Sequence, residues 1–240
     1  MTLSKTLAYF GPLDLAAVLL IWGGWLGIGL LVDNARSHNP SVSVLMRRYR
    51  REWMRQFVTR QPRIFDATIL SSLRQGTTFF ASACMIALGG GLALIGNTER
   101  LSGVAADFTF ETAPDIVWEV KIGMALIFVV NAFLKFVWAH RVFGYCAVVM
   151  AAVPNDPEDP SVYRRADQAA ELNISAARSY NRGLRSIYFA LAALTWLLGA
   201  WALLCATALT LAFLWRREFS SHSRQVLEEG LGTLAQEPVE

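Results

Sequence analysis

VKIGMALIFVVNAFLKFVWAH, residues 120 to 140, decides the fold. It carries one lysine at its start and one near its end, and is otherwise almost wholly apolar. A helix rises about 1.5 Å per residue, so about 20 apolar residues match a hydrocarbon core of roughly 30 Å. Trp118 and Trp138 bracket the stretch at about that separation, as interfacial aromatic residues do. The segment predicts a membrane-spanning helix.

Three further stretches pass the same test. They are GPLDLAAVLLIWGGWLGIGLLV (11 to 32), FFASACMIALGGGLALIGN (79 to 97) and WLLGAWALLCATALTLAFLW (196 to 215). Trp196 and Trp215 bracket the last one. Trp22 and Trp25 fall mid-span and read as packing residues. The first stretch is not a signal peptide, because its apolar region is too long and no small-residue cleavage site follows before Asn34. The composition agrees: 240 residues, 54% hydrophobic and 17% charged, with a mean hydropathy of +0.37. A soluble domain has nearer a quarter of its residues charged. The fold class expected is all-α, a polytopic membrane protein with four transmembrane helices.

Three spans extend beyond the bilayer as helical pattern: DATILSSLRQGTT (66 to 78), RVFGYCAVVMAAV (141 to 153) and GLRSIYFALAALT (183 to 195). Alternation of the spans puts all three extensions on one side, as a helical layer. Charge gives the orientation. The loop 33 to 65 carries Arg36, Arg47, Arg48, Arg50, Arg51, Arg55, Arg60 and Arg63. The loop 141 to 195 carries Arg141, Arg164, Arg165, Arg178, Arg182 and Arg185. Between the second and third spans Arg100 faces Glu99, Asp107, Glu111 and Asp115. The arginine-rich loops are therefore expected in the cytoplasm and both termini outside, in a bacterial inner membrane. Arg216 and Arg217 pull the other way. Residues 1–218 are expected to form one membrane domain, followed by a polar, acidic tail at 219–240.

VLMRRYRREWMRQF, residues 44 to 57, puts five arginines into fourteen residues. Wound as a helix, Leu45, Met46, Tyr49, Trp53 and Phe57 share an arc of about 120°, opposite Arg47, Arg48, Arg50, Arg51 and Arg55. Pro40 and Ser41 stand before it as start signals. An aromatic stripe backed by arginine suits a helix in a membrane interface, its cations on anionic lipid headgroups. The alternative is a helix packed against the extensions. Nucleic acid is excluded as a partner, since the segment adjoins a span and no groove-reading module accompanies it. After the turn-rich PNDPEDP (154 to 160), SVYRRADQAAELNISAARSYNR predicts a second, exposed amphipathic helix. Its small-residue face is Val162, Ala166, Ala170, Ile174 and Ala177. The sequon Asn173-Ile-Ser175 falls on the cytoplasmic side and reads as chance.

Polar groups at membrane depth are candidate sites. Asp14, Glu119 and Lys121 read as interfacial. Asn131 and Lys135 share a helix face, and Lys135 is close enough to Trp138 to snorkel. Arg74, Gln75 and Arg141 fall at similar depth, so Arg74, Lys135 and Arg141 are expected to form a basic ring for a phospholipid headgroup or a small anion. Gly89-Gly90-Gly91 allows a close helix approach. Cys84, Cys146 and Cys205 lie in apolar runs and read as buried free thiols. His38, His140 and His222 are scattered, so no metal site is expected. No catalytic motif is present, and neither an enzyme nor a cofactor is expected.

Four blocks in order carry a resemblance: Tyr49 to Met54; ILSSLRQGTTFFASACMIALGG; Lys135 to Tyr145, with K-F-x-W-x-x-R-x-F-x-Y; and YNRGLRSIYFALAALTW. Over about 40 to 215 the chain resembles the membrane family catalogued as domain of unknown function 599, whose members occur in bacteria and plants. SSLRQGTT departs from the pattern, and the acidic C-terminus is not part of it. The resemblance implies four helices and marks Arg74, Lys135, Trp138, Arg141 and Tyr145 as a motif without assigning chemistry. The function expected is a non-enzymatic accessory or scaffold subunit binding anionic phospholipid and a membrane protein partner or a homo-oligomer. The alternative is an oligomeric small-solute or anion transporter or channel.

Overall fold

Ser41 starts the arginine helix as its sequence predicts: its hydroxyl accepts from the Val44 amide at 3.2 Å and donates to the Val32 carbonyl at 2.8 Å. The computed structural model describes residues 9–35, 39–97 and 114–234. Seven α-helices are found among them and no strand: α1 Pro12–Asp33, α2 Val42–Thr59, α3 Ile64–Ile95, α4 Asp115–Ala151, α5 Val162–Leu194, α6 Ala200–Phe219 and α7 His222–Leu234. Three of these, α1, α3 and α4, are long and apolar enough to cross a membrane. The all-α membrane class stands. Arg36, His38, Glu99, Arg100, Asp107 and Glu111, which entered the charge argument or the histidine survey, lie outside the described residues.

The chain divides into two compact units. The first holds residues 1–29, 81–134 and 182–214. Phe128 of α4 is central to it: Trp22 stacks on it at 4.8 Å, Trp25 meets it edge-on at 5.6 Å and Phe189 lies 6.1 Å away. Trp22 and Trp25 are thus packing residues. Close approaches are made at glycine: a Cβ on Gly24 would sit 2.9 Å from Leu211, and one on Gly91 would overlap Leu126, whereas Gly89 and Gly90 have open space. At the start of α1, Asp14 accepts from the Gly11 amide at 3.1 Å and from the Trp196 indole at 2.7 Å. Lys121 lies 5.2 Å over Trp118 and 5.9 Å over Trp196. Leu19, Ile86, Trp201 and Leu209 are exposed on this unit, an apolar surface of the kind lipid covers.

Two expectations are corrected here. Residues 183–195 do not extend the fourth span as one helix. Thr195–Leu198 form a 3₁₀ turn and Gly199 takes φ +115°, a left-handed conformation that suits glycine. The chain therefore reverses between α5 and α6, and residues 182–194 belong to the apolar unit as a separate segment. The fourth span is accordingly cut to α6, whose last turn holds Arg216 and Arg217. Its apolar length is about 16 residues, or about 24 Å, short of a full crossing on composition alone.

The second unit holds residues 30–80, 135–181 and 215–240. Its core joins four helices: Met54, Phe57 and Val58 from α2, Leu70 from α3, Val142, Phe143, Cys146 and Met150 from α4, and Val162, Ala166, Ala169, Ala170 and Ala176 from α5. The small-residue face of α5, expected to be exposed, is buried in this core, because alanines let α5 approach its neighbours closely. Nor is 219–240 simply a tail. Helix α7 lies on α2, with the Tyr49 hydroxyl donating to the Leu227 carbonyl at 3.0 Å and Arg224 to the Pro40 carbonyl at 3.0 Å. Glu218 accepts from the Ser43 amide and hydroxyl at 3.2 and 3.0 Å. Of the free cysteines, Cys84 and Cys146 are buried, but Cys205 is exposed on its apolar helix.

Candidate functional site

The arginines of α2 are mostly engaged within the second unit. Arg47 donates to the Asp33 carbonyl at 3.2 Å. Arg50 donates to the Asn173 side chain. Arg51 pairs with Glu171 at 2.7 Å and Arg55 with Asp167 at 3.9 Å, both exposed pairs of small energetic weight. Arg48 is exposed. Of the expected stripe, Leu45 and Phe57 are buried and Met46, Tyr49 and Trp53 half-buried, with Trp53 donating to Asp66 at 2.6 Å; Met54 and Val58, on the side expected for the arginines, are buried as well. Asp66, fully buried, also takes Arg60, so one carboxylate ties the end of α2 to the start of α3. Arg63 continues the link, donating to the Val58, Val153 and Pro154 carbonyls at 3.1, 2.8 and 2.8 Å.

A groove lies between the first half of α3 and the second half of α4. Its polar lobe, about 340 Å³, is lined by Ser71, Arg74, Gln75, Thr78, Phe79 and His140. Its apolar lobe, also about 340 Å³, includes Phe57, Leu70, Ala147 and Met150, with Arg63 and Asn155 as polar members. Ser71 and Arg74 line both lobes. The spacing of Ala67, Ser71, Arg74 and Thr78 puts them on one helix face. Thr77 and Thr78 both donate their hydroxyl protons to the Arg74 carbonyl, at 2.6 and 3.2 Å. His140 Nδ1 lies 3.1 Å from the Thr77 oxygen.

Of the three cations expected to form a ring, Arg74 alone is among the groove's lining residues. Arg74 lines the groove, and its exposed guanidinium has no partner among the described residues. Lys135, partly buried, and Arg141, exposed and donating to the Tyr145 hydroxyl, do not line it. Trp138 is 52% exposed and Tyr145 44%. Asn131 donates to Ser186 at 2.6 Å within the first unit. Sequence reasoning missed His140, whose signal was its place one residue before Arg141. It also missed Arg185, counted as a loop cation but buried in the apolar unit at 3% exposure. The signal there was the apolar run directly after it. No cluster of metal-ligating side chains is found among the described residues.

No curated protein and no solved structure matches the chain. A family model does, over residues 16–223, and its description is "Protein of unknown function, DUF599". With most of its length matched, the chain belongs to that family of uncharacterised proteins.

Proposed function

We propose that this chain is a non-enzymatic accessory subunit of a membrane assembly that holds an anionic phospholipid in the α3–α4 groove. The observation that carries the reading is Arg74 at the junction of a polar and an apolar lobe. A phospholipid has the same division: its phosphate would take the Arg74 guanidinium, and its acyl chain would lie along Leu70, Ala147 and Met150. Arginine suits phosphate because its planar fork donates in pairs. The transport reading depended on a three-cation ring, and Lys135 and Arg141 do not line the groove, so the lipid reading is carried forward. Copies of the chain or a membrane partner would meet the lipid-bearing face.

The test is native mass spectrometry of protein released from nanodiscs of phosphatidylglycerol in phosphatidylcholine. The wild type should retain phosphatidylglycerol selectively, and Arg74→Gln should retain at least one molecule fewer. Equal retention by Arg74→Gln would end the proposal.

Orientation also changes under this account. If each of the five helical segments of the first unit crosses, the crossings are odd in number, and residues 12 and 219 face opposite sides. The contacts support this. Asp14, at the start of α1, meets Trp196, just before α6, while Ser43, just after α1, meets Glu218, at the end of α6. The arginine-rich unit then keeps the C-terminal helix with it in the cytoplasm, and Arg216 and Arg217 obey the charge rule they had opposed.

A further inference from the structure

A second, smaller cavity of about 190 Å³ lies among α2, α3, α4 and α5 in the arginine-rich unit. It shares no lining residue with the groove. Arg50, Ser72, Gly76, Phe143, Tyr180 and Asn181 line it. Arg50 differs from the other arginines of α2. Arg51 and Arg55 reach carboxylates, but Arg50 has only the amide oxygen of Asn173, itself fully buried. No carboxylate pairs with Arg50 among the described residues. Burial pushes its guanidinium below the ordinary range, desolvation being the main cause. Arg50 is half-buried, and a partly desolvated cation without a counter-charge carries a cost that a bound anion offsets.

We propose that this cavity binds a phosphate-type oxyanion on Arg50. Asn173 occupies one Nη of the guanidinium and holds the side chain in place. The remaining donors, Nε and the second Nη, form the edge that grips two oxygens of a tetrahedral anion. Ser72, Tyr180 and Asn181 supply hydroxyl and amide groups at the walls, and Asn181 spends one amide hydrogen on Ser43 at 3.4 Å. Taking about 30 Å³ per water, the space equals about six waters, room for one oxyanion and part of its shell. Phe143 and Leu73 close the apolar side and keep the site from full hydration. The anion is either free inorganic phosphate or the phosphodiester of a lipid headgroup.

The decisive variant is Asn173→Asp, which installs a carboxylate where Arg50 already bonds, keeps the side-chain volume and fills the site's charge from within. Intact purified protein is heated in detergent with increasing sodium phosphate, against sodium chloride at equal ionic strength. In parallel it is taken from phosphatidylglycerol–phosphatidylcholine nanodiscs into native mass spectrometry. A saturable rise in melting temperature with phosphate identifies the free ion. Phosphatidylglycerol retained by Arg74→Gln protein, with no phosphate effect, identifies the headgroup. In either case Asn173→Asp should weaken the response at least tenfold, and Arg50→Gln should abolish it. Arg74→Gln should leave the phosphate response unchanged and remove only the phosphatidylglycerol held in the groove, which separates this site from the groove. A wild type that responds in neither arm, or an Asn173→Asp protein that responds like the wild type, overturns the proposal. The second comparison stands even if Arg50→Gln fails to fold.

Discussion

Asp66→Ala should be the most damaging single polar change in the arginine-rich unit. The carboxylate is fully buried, accepts the Trp53 indole proton at 2.6 Å and pairs with Arg60. Its second oxygen, also buried, has no partner, so the two donors on the first oxygen carry the whole compensation for burying the charge. Removing one partner of a buried pair costs about 3–5 kcal/mol, and Arg60 is one-third exposed and can turn to water, so about 3 kcal/mol is expected. Asp66→Asn keeps an oxygen for Trp53 but loses the charge, at about 1–2 kcal/mol. At about 2–4 °C per kcal/mol for a chain of this length, alanine should lower the melting temperature by about 6–12 °C and asparagine by about half that. Thermal unfolding in detergent, followed by tryptophan fluorescence, measures both. An alanine variant within about 2 °C of wild type, or an asparagine variant as damaged as the alanine one, would refute this account of the link between α2 and α3.

Other outcomes are open to direct measurement. Gly91→Ala should cost about 1–3 kcal/mol by overpacking against Leu126, whereas Gly89→Ala and Gly90→Ala, which meet open space, should not destabilise; equal effects in a thermal melt would contradict the packing described. Asp159 accepts from the Ser161 amide and hydroxyl at 2.7 and 2.6 Å, which hold its carboxyl below the ordinary range. A lowered folded-state value means that this turn's contribution is present above the unfolded carboxylate range and lost as pH falls through the folded value. Acid should therefore loosen the start of α5, read as faster amide exchange near Ser161, and Asp159→Asn should remove that pH dependence. Alkaline phosphatase fused after Asn97 should be active, and fusions after Pro154 and Ser220 silent; activity at Ser220 would restore an even number of crossings.

Much of the fold is legible because its signals are local. The length of 120–140 gives α4, and Pro40-Ser41 gives the start of α2 to within a residue or two. The stripe on α2 is legible as amphipathic, but its pattern alone could not tell lipid from protein as the covering layer; Met54 and Val58 on the buried face meet the alanines of α5. The reversal at Gly199 left little trace, since the glycine sits in a leucine and alanine run without proline and with Thr195 as its one nearby polar residue. Averaging hydropathy over that run merges the end of α5 with α6. The groove is half legible: Arg74 stands out as a cation at membrane depth. His140 does not, because its role depends on two threonines a helix away.

The account rests on Arg74 holding an anionic headgroup where the two lobes meet. A cryo-electron-microscopy map of the protein in phosphatidylglycerol nanodiscs tests it most directly. The account predicts headgroup density within hydrogen-bond reach of the Arg74 guanidinium, with an acyl chain running past Leu70 and Met150. A groove holding only water beside Arg74, or closed by a side chain of a neighbouring copy, would contradict it.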